Sequence, residues 1–236
     1  MPRSVSGMER ISTGVPGFDD MVAGGLPARR LHILCGPPGS GKTTFCAQFV
    51  TAGARQGERV LYVTMHETID ELVADMRGYT FGFENAIRSD HVRFLNLASR
   101  DGISRIQQFG SESGLRGRLN GMIAETNADR VVIDSKMLLE HFIDNPDDVL
   151  SEFLIDLKEA DATILMISEM TDPTSYSAEH YLSHGVIFMH NFIEDGGMTR
   201  GAQVLKMRGT SIDPDIRHAE FTDSGLCIDA DEKIRS

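Results

Sequence analysis

Tryptophan is absent from this sequence of 236 residues, and cysteine and lysine are scarce, with 3 and 5 residues respectively. The cysteines form no CxxC pair and are too few for a disulfide framework, which favours a reducing compartment. No apolar run approaches the roughly 18 residues that a membrane helix needs, and residues 1–12 lack the apolar core of a signal peptide. We therefore expect a cytoplasmic protein with no membrane span.

Positive charge is also scarce. Lys and Arg together number 23 against 35 Asp and Glu, which gives a formal net charge of −12. This balance disfavours nonspecific attraction to nucleic acid and to anionic lipid. The excess is regional, because residues 137–199 contain 13 acidic side chains and a single basic one, Lys158. We interpret this region as a surface that meets solvent, salt or a basic protein partner.

Composition and pattern otherwise indicate a packed globular fold. Hydrophobic residues make up 41% and charged residues 25% of the chain, both ordinary for soluble domains. Runs rich in β-branched residues alternate with helix-like segments, which predicts an α/β fold with a mostly parallel central sheet flanked by helices. Strands are predicted over 31–35, 59–65, 92–97, 130–134, 163–167, 186–192, 203–207, 218–221 and 226–228, and helices over 44–55, 69–76 and 147–160. The last four strands are expected to form an antiparallel extension of the sheet in one domain, 1–236, that ends in a hairpin and tail, 217–236.

A glycine-rich segment between the first of these strands and the first helix fits the phosphate-loop pattern G-x-x-x-x-G-K-[ST]. It consists of Gly36, Pro37, Pro38, Gly39, Ser40, Gly41, Lys42 and Thr43, and the helix continues from Thr44. The glycines let backbone N–H groups approach the outer phosphates of a nucleotide at the positive end of the helix. Lys42 adds a charge that bridges these phosphates, and the Thr43 hydroxyl is placed to bind Mg²⁺. The segment therefore predicts a site for ATP and magnesium. Backbone dipoles and Lys42 hold the phosphates in such a site, so an acidic protein can still bind this anion.

A nucleotide site also needs a carboxylate near the metal and a group that handles the attacking water. The apolar strand 130–134 (RVVID) ends in Asp134, which we predict to orient the magnesium water shell. The second strand ends at His66 and Glu67. Either side chain is a candidate for positioning or deprotonating the water, and Glu67 has the alternative role of opening the following helix.

With these three elements in order, the chain resembles the KaiC-like branch of the RecA/RadA superfamily, in the form of its single-domain, archaeal-type circadian-clock homologues. The resemblance is carried by 12–19 (STGVPGFD) with 24–27 (GGLP), within an N-terminal signature segment 1–28, and by the phosphate loop. The magnesium strand 131–135 and the segment 205–211 (LKMRGTS) also match. The resemblance implies a RecA-like P-loop ATPase that binds Mg-ATP and assembles into a ring, expected to be a hexamer. It also implies that Lys206 and Arg208 act in trans on the γ-phosphate of the neighbouring subunit.

The chain departs from the family pattern at two places. The first Glu of the family's Phe-Glu-Glu-Thr segment is the expected water-activating residue, and His66 stands at that position here. We therefore expect slow or altered hydrolysis. The stretch 179–183 (EHYLS) lacks the adjacent Ser and Thr on which the clock protein autophosphorylates, so autokinase activity is not expected.

Two alternative functions remain open from the sequence. One is an ATP-dependent assembly switch, or an adaptor for signalling or motility, with little hydrolysis. The other is a RadA-like recombination or repair factor, whose DNA loops would fall at 137–147 and 170–182. Neither stretch contains a Lys or Arg, so DNA binding is not expected, and the Arg-containing stretch 100–118 is interpreted as a solvated face.

One possible metal pair is weaker than the phosphate loop. His180 and His184 are four residues apart, as two ligands on one helical face would be. No third ligand or acidic base stands at a suitable spacing. We interpret both as surface or interface histidines.

Overall fold

The computed structural model describes residues 7–64, 67–97, 112–135, 146–194 and 196–234. The strands of these ranges are β1 (Arg10–Ile11), β2 (Leu26–Pro27), β3 (Leu31–Cys35), β4 (Val60–Thr64), β5 (Val92–Asn96), β6 (Arg130–Asp134), β7 (Thr163–Ser168), β8 (Gly185–Glu194), β9 (Gly197–Met207), β10 (Arg217–Thr222) and β11 (Gly225–Lys233). The helices are α1 (Phe18–Met21), α2 (Lys42–Arg55), α3 (Ile69–Met76), α4 (Phe83–Ile87), α5 (Glu112–Thr126), α6 (Pro146–Glu159) and α7 (Ala178–Leu182).

A nine-stranded sheet with the order β11-β10-β9-β8-β3-β7-β6-β4-β5 forms the centre of the fold, and β1 pairs with β2 separately. The strands from β5 to β8 in this order run parallel, and β9, β10 and β11 continue the sheet in antiparallel pairs. The predicted α/β class, with a mostly parallel sheet and an antiparallel C-terminal extension, is confirmed. The strand predicted over 186–192 was wrongly assigned to the extension, because β8 pairs with β3 in parallel and the antiparallel part begins only at β9.

The inner parallel strands β3, β4, β6 and β7 are buried along nearly all of their length, as expected where helices cover both faces of the sheet. Every residue of β3 is buried, and consecutive residues of this strand enter different cores. Leu34 packs in the core that contains Phe45 of α2, whereas Ile33 packs in the core that contains Phe153 of α6. Because successive side chains of a strand point to opposite faces of the sheet, β3 contributes to one apolar layer on each face. The phosphate-loop helix α2 packs in the layer that contains Leu34.

The structure differs from the sequence predictions at element ends and at α5, a helix of 15 residues that was not predicted and that begins within the stretch 100–118. Helix α2 begins at Lys42 rather than at residue 44, and the hairpin β8–β9 is longer than predicted. Its outer part was not recognised because its side chains do not pack in the core; Ile193 near its tip is 82% exposed. The short helices α1, α4 and α7 have four or five residues each, too few for a periodic apolar pattern.

The N-terminal segment is anchored to the phosphate-loop helix by polar contacts. The Asp19 carboxylate accepts hydrogen bonds from the Ser12 hydroxyl at 2.6 Å and from the Thr13 hydroxyl at 2.6 Å. Gln48 of α2 donates through Nε2 to the Gly14 carbonyl at 3.2 Å. The segment 12–19, which belongs to the motif that carries the family resemblance, therefore holds the N-terminal region against α2.

None of the helices in the described ranges is long and apolar enough to cross a bilayer.

Candidate functional site

Four parallel strands end side by side at one edge of the sheet. Thr64 of β4 is in register with Asp134 of β6, and Cys35 of β3 is in register with Ser168 of β7. The segments that follow these strands therefore leave the sheet next to one another. They carry the phosphate loop, Glu67 and Glu169, so the predicted loop, Asp134 and Glu67 converge here.

The phosphate loop requires its glycines for backbone reasons. Gly36 has a φ of 141°, and a Cβ on it would lie 2.2 Å from the Met189 carbonyl oxygen. Gly41 has a φ of 105° and caps α2 without any side-chain hydrogen bond, and the first turn of α2 contains no acidic residue. The first N–H groups of this helix, at Lys42, Thr43 and Thr44, are therefore not capped by a side chain and present a positive end to a phosphate.

Side chains from the hairpin β8–β9 hold the loop in place. Asn191 donates through Nδ2 to the Pro38 carbonyl at 3.0 Å, and Arg200 donates through Nε to the Gly39 carbonyl at 3.1 Å. Lys42 donates through Nζ to the Gly36 carbonyl at 2.7 Å and to the Pro37 carbonyl at 3.0 Å. The Lys42 ammonium therefore lies against the loop backbone, within the segment predicted to surround the phosphates.

The carboxylate of Asp134 is oriented by a buried tyrosine. Tyr62 of β4 donates its hydroxyl to Asp134 Oδ2 at 3.1 Å. The hydroxyl of Ser135, which directly follows Asp134, donates to Oε1 of Glu169, which follows the neighbouring strand β7. Burial lowers the pKa of Lys42, while Glu169 and Asp134 act in the opposite direction, so both carboxylates lie within electrostatic reach of its ammonium.

Glu67 is not the cap of the helix that follows it. Thr68 caps α3 and forms a reciprocal capping box with Glu71, so the helix-opening role considered for Glu67 belongs to Thr68. Glu67 is half-buried near Asp134, and burial together with the Asp134 charge raises its pKa to about 7. A carboxyl group with a pKa near neutrality suits proton transfer at physiological pH. His66, the other candidate, lies outside the described residues.

The donors at this edge suit magnesium. The Thr43 hydroxyl and the Asp134 carboxylate are oxygen ligands, which Mg²⁺ prefers, and a phosphate and water would complete its coordination. The described residues contain no cluster of three or more His, Cys, Asp or Glu that could hold a metal by itself. A metal here would accordingly arrive with a phosphate ligand, as in P-loop sites.

Lys206 and Arg208 lie at the opposite edge of the sheet. Lys206 is paired with Val186, near the start of β8, and the Arg208 N–H bonds to the His184 carbonyl. The phosphate loop follows the other end of β3, beyond the pair Cys35 and Phe188. The structure therefore brings the two basic residues together but keeps them away from the phosphate loop of their own chain.

The ends of both side chains contact the helix α7. Lys206 donates through Nζ to three carbonyls, those of His180 at 2.8 Å, Tyr181 at 3.0 Å and Ser183 at 2.7 Å. Arg208 donates through Nη2 to the Tyr181 carbonyl at 2.9 Å. Both cations thus stabilise the negative end of α7.

His180, interpreted from the sequence as a surface or interface histidine, is buried, with an exposure of 2%. Its Nδ1 accepts a hydrogen bond from the Ser177 N–H at 2.9 Å, which closes the start of α7. Glu179 beside it is also buried and accepts a hydrogen bond from the Ser168 hydroxyl at 3.0 Å. Glu179 is therefore not part of the acidic surface that was predicted for residues 137–199.

Sequence reasoning missed four residues of this site: Tyr62, Glu169, Asn191 and Arg200. Only Glu169 carried a usable signal, because it directly follows a buried apolar strand, as Asp134 does. Tyr62, Asn191 and Arg200 lie within strands, where the sequence pattern predicts that a polar side chain faces solvent. Their contacts depend on which strands are neighbours, and local pattern does not specify that.

Comparison with known proteins agrees with this geometry. Residues 11–233 match the family described as "ATPase: KaiC". The chain belongs to the KaiC ATPase family. The predicted resemblance is thus confirmed.

Individual relatives show how the chain is related within this family. A KaiC-like protein from Pyrococcus horikoshii has a crystal structure that superposes with a TM-score of 0.80 at 25% identity, over 94% of this chain and 99% of that one. The RecA-like fold is therefore confirmed. The UPF0273 protein of Methanopyrus kandleri is 29% identical over 95% of this chain and 94% of its own length.

Clock proteins are longer relatives. The circadian clock protein KaiC3 of Synechocystis is 27% identical over 88% of this chain but only 43% of its own length. The circadian clock oscillator protein KaiC of Prochlorococcus marinus is 28% identical over 86% of this chain and 42% of its length. The chain therefore spans about two fifths of these relatives.

Proposed function

We propose that this KaiC-family chain binds Mg-ATP, hydrolyses it slowly and works as a ring, expected to be hexameric, with each active site at a subunit interface. The observation that carries the proposal is the division of the site between two edges of the sheet. The phosphate loop, Asp134 and Glu67 lie at the carboxyl edge, whereas Lys206 and Arg208 lie at the amino edge. A head-to-tail contact between copies would bring the two edges together.

The proposed site residues divide the chemistry of hydrolysis among them. Residues 36–44 hold the phosphates, with Lys42 offsetting their charge, and Glu67 or His66 positions the water for in-line attack on the γ-phosphate. Thr43 and Asp134 would hold Mg²⁺, which when bound neutralises charge on the outer phosphates. Lys206 and Arg208 of the next copy would stabilise the charge that develops during transfer, and Lys206 would exchange a carbonyl of α7 for phosphate to do so.

Exposed apolar side chains at both edges support the same assembly. Ile193 and Met198 are a cross-strand pair at the tip of the hairpin whose Asn191 holds the phosphate loop, and they are 82% and 51% exposed. Tyr181, whose carbonyl accepts hydrogen bonds from Lys206 and Arg208, has its ring centroid 6.0 Å from that of Tyr176, and the two residues are 65% and 49% exposed. Two different exposed patches at opposite edges suit a heterologous contact, which forms a ring when the rotation between successive copies closes.

The test is the mass in solution and the release of phosphate, measured with and without ATP and Mg²⁺. We expect nucleotide-dependent assembly toward six copies of the 26.0 kDa chain, with turnover that appears only in the assembled protein. Lys42→Ala should weaken ATP binding roughly 10- to 100-fold, the range for a lost charge-assisted hydrogen bond. Lys233→Ala, at an exposed lysine paired with Asp215, is the matched control. A chain that stays monomeric under every condition would refute the interface mechanism.

The assembly switch with little hydrolysis is the second candidate, favoured by His66 at the position of the expected water-activating Glu. Comparing turnover of the parent with that of His66→Glu separates the two functions. A large gain in the variant, with assembly unchanged, would favour the switch. Rapid turnover in the parent would exclude it.

A further inference from the structure

Five basic side chains meet at the amino edge of the sheet, and we call them the amino-edge cluster. Arg30 directly precedes β3, Lys158 lies in the last turn of α6, and His184 directly precedes β8. Lys206 and Arg208 lie at the end of β9. These elements adjoin because β3 pairs with β8, β8 pairs with β9, and α6 packs against α7.

Contacts and electrostatics both place the members within reach of one another. Arg30 donates through Nη1 to His184 Nε2 at 3.0 Å, so the imidazole is neutral there. Burial and the charges of Arg30, Lys158, Arg208 and Lys206 lower the pKa of His184 to about 4. Burial, Arg208 and Lys158 lower the pKa of Lys206 to about 8. The four cationic side chains Arg30, Lys158, Lys206 and Arg208 therefore all lie within electrostatic reach of His184.

No carboxylate of the described residues forms an ion pair with any of the four cations. The contrast with Arg29 is informative, because this neighbour of Arg30 pairs with both Glu9 and Asp161. Acidic side chains are abundant in this chain, with 35 of them against 23 basic ones. Unpaired like charges repel one another and disfavour the folded state unless an anion binds between them.

The hydrogen-bond donors of the cluster are unequally occupied. All three N–H groups of Lys206 are engaged by carbonyls of α7 and Ser183. Arg30 and Arg208 each use one terminal nitrogen, which leaves most of their five donors available. Lys158 forms no hydrogen bond or ion pair among the described residues. The side chains with donors to offer an anion are therefore Arg30, Lys158 and Arg208.

We propose that the amino-edge cluster is a phosphate-binding half-site in which Arg30 and Lys158 join Arg208 in holding the triphosphate of ATP bound to the phosphate loop of a second copy. This inference rests on the proposed ring. The occupant follows from the geometry, because the phosphate loop of the same chain is at the other edge of the sheet, and exposed Tyr176 and Tyr181 border the cluster. The four cations match the charge of a triphosphate. The proposal also gives Lys158, the one base in the acidic region 137–199, a specific role.

The first test uses Arg30→Gln and Lys158→Gln, with Arg29→Gln as the matched control next to the cluster. We expect kcat for ATP to fall roughly 10- to 100-fold in each cluster variant, the range for one charge-assisted hydrogen bond in the transition state. ATP affinity of the separated chain should be unchanged, since its own phosphate loop is intact. Lys158→Arg should recover most of the activity, which a purely structural defect would not predict. Equal kcat in all three Gln variants and the parent would overturn the inference.

The second test mixes two inactive proteins in equal amounts, Lys42→Ala and the double variant Arg30→Gln/Lys158→Gln. Lys42→Ala lacks a working phosphate loop, and the double variant lacks two cations of the cluster. A complete site therefore forms only at an interface where the double variant supplies the phosphate loop and Lys42→Ala supplies the cluster. Random mixing should restore about one quarter of parental turnover, because one interface in four combines both intact halves. No restoration on mixing would place Arg30 and Lys158 in the site of their own chain and overturn the inference.

The two proposals fail in different ways. A parent that neither assembles nor hydrolyses Mg-ATP overturns the ring and with it the half-site. A parent that does both, combined with cluster variants that behave like Arg29→Gln, overturns the half-site alone.

Discussion

Arg130 is the largest completely buried side chain among the described residues, and we expect the stability of the fold around its buried charge to depend on Glu58. Its guanidinium forms a two-point ion pair with the Glu58 carboxylate through Nε and Nη2. It also donates to the Ser12 carbonyl at 2.7 Å and to the Phe49 carbonyl at 3.1 Å. One side chain thus links the N-terminal segment, α2 and the start of the strand that ends in Asp134.

The expected cost of breaking this pair follows from where the charge would be left. Glu58→Gln would keep the shape of the partner but leave the guanidinium of Arg130, which has no solvent exposure, without a counter-ion. Removing one member of a buried ion pair costs about 3–5 kcal/mol. Arg130→Met would leave the carbonyls of Ser12 and Phe49 without donors, at about 1–3 kcal/mol each. The two changes should therefore be far from additive when combined.

Urea unfolding of the two single variants and the double variant measures these terms directly. Arg59→Gln is the control, because Arg59 pairs with Asp129 at 4.0 Å and both side chains are more than half exposed. An exposed pair of this kind contributes about 0–1 kcal/mol. A cost below about 1 kcal/mol for Glu58→Gln would refute the reasoning, since Arg130 would then be stable without its partner.

Two further predictions concern the loop and the core. Gly36→Ala should abolish tight ATP binding, because the new Cβ would lie 2.2 Å from the Met189 carbonyl oxygen, whereas the Cβ of the control variant Gly78→Ala meets nothing within 4 Å; a titration that finds parental affinity in Gly36→Ala would contradict this. Burial lowers the pKa of His32 to about 4, from an ordinary value of 6.5, so below pH 6.5 the unfolded chain takes up a proton that the folded chain does not. The free energy of unfolding should therefore fall by about 2 kcal/mol between pH 7 and pH 5, and urea curves of His32→Gln should lose that part of the pH dependence.

The phosphate loop could be predicted from the sequence because its chemistry is local. Gly36, Gly41, Lys42 and Thr43 lie within eight consecutive residues, and the strand and helix around them have their own patterns. The parallel arrangement of the central strands followed less directly, from the alternation of strands with helices, and the order of the strands in the sheet was not predicted. Asp134 was found because a parallel strand places the residue after its apolar run at the same edge as the loop.

The contacts between distant residues could not be predicted. Arg130 is the first residue of a predicted strand, and a charged residue at that position predicts a solvent-exposed strand end. Its partner Glu58 lies 72 positions away in the chain. A buried arginine is specified by the groups that surround it, and a single sequence does not show which distant residues those are. Tyr62, Asn191 and Arg200 were missed for the same reason.

The basic residues at the amino edge show how sequence and structure complement each other. From the sequence, Lys158 is one base within an acidic region, and Lys206 and Arg208 carry a family resemblance. Lys206 and Arg208 lie two strands away from β3, about 10 Å across the sheet, and are level with Ile33 and the residues before it, whereas the phosphate loop follows Cys35. A side chain of Lys or Arg cannot span that distance through a packed sheet. If these cations act on a nucleotide, a second copy must bring it, so catalysis would depend on protein concentration even when ATP is saturating.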